Sequence, residues 1–171
     1  MQVVRDSGRR AQAAIGSGVF FILAPGIVAG IIPWWLTGWQ IREPLPFWAP
    51  LRLVGAVLVA AGAFVLIRAF VQFVLEGTGT PAPVVPTERL VVSGLYRYVR
   101  NPMYLAVLST IVGQGLVLGQ PVLFVYGFVV AVAFVVFVAG YEEPTLRSRY
   151  GAEYEAYRRA VPAWWPRLRR R

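Results

Sequence analysis

Two long apolar runs constrain this chain more than any other feature: Leu51 to Leu75 and Val122 to Tyr141. At 1.5 Å per residue each is long enough to cross a hydrocarbon layer of about 30 Å. Helices inside a small soluble protein do not need that length. Of the 171 residues, 57% are hydrophobic and 15% charged, against about a quarter charged in a soluble domain. Two further runs join them. Ile15 to Leu36 carries Pro25 and several glycines, and a membrane helix accommodates such a proline as a kink. Met103 to Leu118 is short, roughly 24 Å. The "LGQP" stretch, Leu118 to Pro121, makes a tight turn, so the last two runs form a helical hairpin.

These runs predict one all-α integral membrane domain with about four transmembrane helices. Residues 1–75 hold two spans, 76–102 a cytoplasmic loop, 103–141 the hairpin, and 142–171 a cytoplasmic helix and basic tail. The polar start, with no small-residue cleavage site after it, argues against a cleavable signal. The terminal helix, about Glu143 to Ala160, places Tyr150, Tyr154, Tyr157 and Val161 on one stripe. By composition alone it reads as a surface helix lying on the bilayer, with its tyrosines at headgroup level.

The net charge of +9 comes from arginine alone, because the chain has no lysine. Arg5, Arg9 and Arg10 precede the first run; Arg89, Arg97 and Arg100 lie between the second and third; most of the rest follow the fourth. The positive-inside rule therefore predicts that both termini and the middle loop face the cytoplasm. Arginines that flank apolar runs suit anionic membrane lipid, and no nucleic-acid partner is expected. The opposite connection carries Trp34, Trp35, Trp39, Phe47 and Trp48, an aromatic belt. Arg68, inside the second run, either snorkels to the interface or faces a polar cavity. Arginine-only, Ala/Val/Gly-rich usage suggests a GC-rich bacterium and its inner membrane, with a monomer or weak homo-oligomer expected.

With no cysteine and no histidine, the chain has no disulfide, thiolate nucleophile, Cys/His zinc site or imidazole base. No metal is expected. Gly77-Thr78-Gly79 is no nucleotide fingerprint, since no strand precedes it and Pro81 blocks a helix. Chemistry is left to Glu, Tyr, Arg, Asn or water. Two clusters carry those residues: Arg97, Tyr98, Arg100, Asn101 and Tyr104 before the third run, and Glu142-Glu143 after the fourth. A tight hairpin makes them neighbours, so Arg100 and Glu143 should lie within one ligand's length, with Arg97 and Arg100 as partners for the acids. The pair could be an ordinary ion-pair network. Alternatively it forms a pocket for a small zwitterion. Arg forks a carboxylate, Glu meets an ammonium or ribose hydroxyls, and the tyrosines and Pro102 flank a flat base. S-adenosylmethionine has all of these handles and a sulfonium.

The stretch "GLYRYVRNPMYLAV", followed about forty residues later by "EEPTLRSRYGAEYEAYRRAVP", closely resembles the integral-membrane methyltransferases of the isoprenylcysteine carboxyl methyltransferase and phospholipid methyltransferase group. The matching positions are Arg100-Asn101-Pro102-Met103-Tyr104, Glu142-Glu143-Pro144-Thr145-Leu146, Tyr150-Gly151, Tyr154, Tyr157 and Val161-Pro162, within about Gly77 to Pro166. The resemblance implies a cytoplasm-facing S-adenosylmethionine pocket and a lipophilic or lipid-modified acceptor. It implies Gly94, Tyr96, Arg100, Asn101, Pro102, Tyr104, Glu142 and Glu143 as cofactor-site residues, and Arg100, Asn101 and Glu143 as the catalytic set. Gly151, Tyr154 and Tyr157 would lock the terminal helix over the pocket. Asn101 stands where the carboxyl methyltransferases often have His, so it cannot titrate. That suits an isoprenoid-linked carboxylate or similar lipid acid, with a lipid amine possible. A membrane NADPH-dependent reductase and a non-catalytic lipid-binding scaffold are the alternative readings.

Overall fold

The computed structural model describes residues 23–77 and 90–166, and every regular element among them is helical. Helix α1 spans Leu23–Thr37 and α2 Ala49–Gly77; a single 3-10 turn covers Gly94–Arg97. Helix α3 is Pro102–Leu118, α4 Val122–Tyr150 and α5 Ala152–Ala160. Two helices contain stretches long and apolar enough to cross a membrane, Ala49–Ala69 within α2 and Val122–Tyr150. Helices α1 and α3 are shorter and apolar. Residues 15–22 of the expected first span, the loop residues 78–89 and the basic tail from 167 lie outside the described residues.

The residues before Leu23, ahead of the kink expected at Pro25, lie outside the described ones, and the irregular stretch of α1 that the structure describes follows that proline. Ile27–Ile31 is wound as a π-helix, and Pro33 follows it. Lacking an N–H, Pro33 cannot serve the carbonyls four and five residues back. Both are served by side chains of other helices instead. Gln114 Nε2 of α3 donates to Ala29 O at 2.6 Å, and Tyr126 Oη of α4 donates to Val28 O at 2.8 Å. Two polar side chains within the apolar stretches of α3 and α4 thereby fix α1 against the hairpin, where hydrocarbon offers no substitute donor.

Helices α2 and α3 approach closely because glycines line the contact. A Cβ on Gly55 would meet Gly113 O at 2.6 Å, and one on Gly62 would meet Ala106 O at 2.7 Å. Ser109 Oγ adds a hydrogen bond to Leu58 O at 3.0 Å. Small residues at a seven-residue interval let two membrane helices pack backbone to backbone. The turn between α3 and α4 is sealed by the preceding connection: Arg42 N donates to Leu118 O at 2.7 Å and Gln120 Nε2 to Gln40 O at 2.9 Å.

The region after the fourth apolar run departs from expectation. Glu143 does not open a separate surface helix; α4 runs through it to Tyr150. The expected terminal helix is broken at Gly151, whose φ of 50° and ψ of −121° stop one helix and start α5. That conformation is open to glycine and strained for residues with a Cβ. Nor does the aromatic stripe face the bilayer. Tyr154 and Val161 are buried, and Tyr157 Oη donates to Tyr96 O at 2.7 Å. Folding α5 back onto the chain buries aromatic surface and satisfies the phenols at the same time.

Candidate active site

The polar stretch ahead of α3 is shaped from below by α2 and from above by the chain after α5. Gln72 of α2 donates through Nε2 to Ser93 Oγ at 2.6 Å and accepts from Leu95 N at 3.2 Å. Gly94, at φ +52°, lies against the Gln72 side chain and leaves no room for a Cβ. On the other side, Arg100 N donates to Pro162 O at 2.9 Å and Asn101 Nδ2 to Ala163 O at 3.2 Å. Pro102 then starts α3 at a position where its missing N–H costs nothing. Residues 96–102 are therefore held from both faces.

Behind this stretch is a cavity of about 380 Å³, within the usual range for a small-molecule pocket. Its walls are apolar: Ala24, Pro25 and Val28 from α1, Leu66 from α2, Met103 and Val107 from α3, and Ala133, Phe134 and Phe137 from α4. Its polar end carries Tyr96, Arg100, Asn101, Tyr104 and Glu142, with Pro102 beside them. The ring of Tyr104 lies 4.6 Å from Phe134 and 6.3 Å from Trp164, between centroids. Six of the eight residues implied by the resemblance thus share one cavity. Gly94 and Glu143 support it from outside the lining, and Arg68 is exposed on α2, also outside it.

The two adjacent glutamates are used differently. Glu142 faces the cavity and accepts a hydrogen bond from Tyr104 Oη at 2.8 Å. None of the ion pairs among the described residues includes it. Glu143 turns to the arginines: Arg100 Nη1 at 2.7 Å, Arg158 Nε at 3.6 Å and Arg147 Nη2 at 3.8 Å. The expected proximity of Arg100 and Glu143 is met directly. The expected role of Arg97 is not; it donates to Tyr98 Oη at 2.7 Å and stacks over that ring. The split arises from the π-helical stretch Val138–Glu142 inside α4, ahead of Pro144. Its extra residue rotates the rest of α4 relative to a regular helix, a device frequent at functional sites.

Arg100 is the centre of the polar end. Its Nη1 donates to both Glu143 Oε1 and Tyr154 Oη, the latter at 2.9 Å. Its Nε is buried and meets no acceptor among the described residues. An unsatisfied buried donor on a cation costs about 1–3 kcal/mol or more, so an acceptor supplied by a ligand would be welcome there. Burial pushes the phenols of Tyr96, Tyr154 and Tyr157 above the ordinary tyrosine range, and for Tyr96 the nearby Glu142 charge adds to it. Near neutral pH these three are hydrogen-bonding groups and not bases. The apolar wall carries no sequence signal of its own; Trp164 and Trp165 read in the sequence as marks of a membrane interface, and only the fold brings Trp164 beside Tyr104.

A family model described as phospholipid methyltransferase matches residues 51–153, more than half of the chain. The chain belongs to this family. The family is part of the isoprenylcysteine and phospholipid methyltransferase group, so the activity class is methyl transfer at a membrane. No curated protein matches the chain. The matched residues take in α2, the polar stretch, α3, α4 and the first residues of α5, and they stop one residue short of Tyr154.

Proposed function

We propose that this protein transfers a methyl group from S-adenosylmethionine to the amine of a membrane lipid, with the polar end of the cavity on the cytoplasmic side. The residues at that end fit the donor. Arg100 lines the cavity, and its guanidinium matches the donor's carboxylate. Tyr96 and Pro102 offer flat surfaces beside its base, and Glu142 offers a counter-charge to a cation. When bound, this donor supplies an electrophilic methyl carried on a sulfonium.

One observation favours the amine: Glu142 faces the cavity in a hydrogen bond with Tyr104 and, among the described residues, in no ion pair, while Arg100 at the same end is bonded to Glu143. A lipid carboxylate, favoured by sequence alone, would sit beside a second carboxylate. Like charges at about 4 Å repel by roughly 4 kcal/mol at an effective dielectric constant of 20. A protonated amine is instead drawn in. Glu142 then accepts the proton the amine must lose before its lone pair can attack, and Tyr104 holds the carboxylate in place for that transfer. The apolar walls take the lipid's hydrocarbon and exclude water from the reacting atoms. Asn101 spends its amide on Ala163 O, so it orders the chain over the site and moves no proton.

The test uses the purified full chain in detergent or lipid discs. S-adenosylmethionine should bind at micromolar to millimolar concentration, and labelled methyl should appear on an aminophospholipid and not on a prenyl carboxylate. Absence of donor binding by folded protein at about millimolar donor sinks the reading. Transfer to the carboxylate alone sinks the choice of acceptor.

A further inference from the structure

We infer that Tyr154 is a positioning residue for Arg100: its hydroxyl, together with Glu143, pins one end of the guanidinium and so fixes how the cation lines the cavity where an anionic group would meet it. The inference rests on the donor site proposed above and concerns a residue just beyond the family match.

A guanidinium is a planar fork, and its two-donor edge, Nε with Nη2, is the edge that grips one carboxylate. In Arg100 the remaining nitrogen, Nη1, is engaged twice, by Glu143 Oε1 at 2.7 Å and by Tyr154 Oη at 2.9 Å. Glu143 alone would leave the fork free to swivel about that single contact. A second acceptor removes the swivel and fixes the plane. Tyr154 suits this task because it is nearly rigid. It is 2% exposed, its ring packs edge-on to Tyr157, and Tyr157 is tied in turn to Tyr96 O. It also suits the task because it is neutral. A second carboxylate in its place would quench the cation that the ligand needs, whereas a phenol kept protonated by burial orients Arg100 without competing for its charge. The buried, partnerless Nε is what such an arrangement leaves over.

The experiment compares S-adenosylmethionine with its decarboxylated analogue on full-length wild type, Tyr154→Phe and Tyr157→Phe, by equilibrium binding. The ratio of the two affinities measures how well the carboxylate is gripped. Wild type should prefer the carboxylate-bearing ligand. In Tyr154→Phe that preference should fall by about tenfold, the scale of one hydrogen bond to a charged group, and the loss should appear in KM for the donor more than in kcat. Tyr157→Phe loosens the support of Tyr154 but keeps its hydroxyl on Arg100, so it should lower the melting temperature and reduce the ratio by much less. Because each ratio is read on one preparation, protein that fails to fold does not alter it. An unchanged ratio in Tyr154→Phe overturns the inference, as does an equal fall in Tyr157→Phe. Wild type binding both ligands equally overturns it too. Wild type binding neither overturns the proposed function itself.

Discussion

Glu142 and Glu143 are neighbours in the chain with opposite surroundings. Glu143 neutralises three arginines, among them Arg100, and its side chain is 17% exposed. Glu142 is held by one phenol and faces the cavity. Their substitutions should therefore separate. Glu142→Gln should cut methyl transfer by about 10²–10⁴-fold, the scale of a lost general base, while the melting temperature stays near wild type. Glu143→Gln leaves the Arg100 cation without its counter-charge, and uncompensated buried charge costs about 3–5 kcal/mol, so its effect should appear first as a lower melting temperature. Parallel activity assays and thermal melts of the two variants check this. Equal losses of stability would show that the acids act as one network. The pairing of acids with the "RNP" stretch is legible in the sequence, because a tight hairpin returns the chain to the same level of the membrane. Which acid takes which role is not legible, since it depends on a π turn that composition does not announce.

Among the elements, α4 and α5 show how one glycine redirects a chain. The residues after Glu143 have the polarity of a separate surface helix, yet α4 continues through Tyr150 and the break falls at Gly151. No atom lies within 4 Å of a Cβ placed there, so the demand is purely conformational. Gly151→Ala should cost about 1–3 kcal/mol of backbone strain, read as a lower melting temperature together with weaker donor binding as α5 loosens. A variant as stable as wild type would show that the break does not depend on glycine. The aromatic stripe of α5 is plain in the sequence. Its periodicity is the same whether the tyrosines face lipid or protein, and only the fold-back at Gly151 chooses protein. The glycines of α2 and α3 and the side-chain donors to Val28 and Ala29 have the same status. The residues can be read, but their partners are tens of positions away.

For the whole molecule, the decisive property is that both polar collars open at one end of the helical bundle, with the Trp-rich connection at the other. From the positive-inside bias we propose that the polar end faces the cytoplasm. The chain has no native cysteine, so single introduced thiols report position cleanly. Leu45→Cys lies in the exposed connection before α2, and Arg159→Cys is exposed on α5. A membrane-impermeant maleimide added to intact cells should label the first and spare the second until the membrane is opened. The reverse pattern would invert the proposed orientation.

Apolar length determined, from sequence alone, an all-helical membrane protein; the resemblance carried by the two motifs gave its methyltransferase group and named six residues that the fold brings to one cavity. These are one-dimensional properties: a bilayer reads apolar length and flanking charge directly. The tertiary structure alone decided which glutamate faces the cavity, which nitrogens of Arg100 are engaged, what forms the apolar walls, and which partners the terminal tyrosines take. Those outcomes depend on rotations about helix axes and on one backbone turn. A shift of one residue there changes every partner while leaving composition untouched.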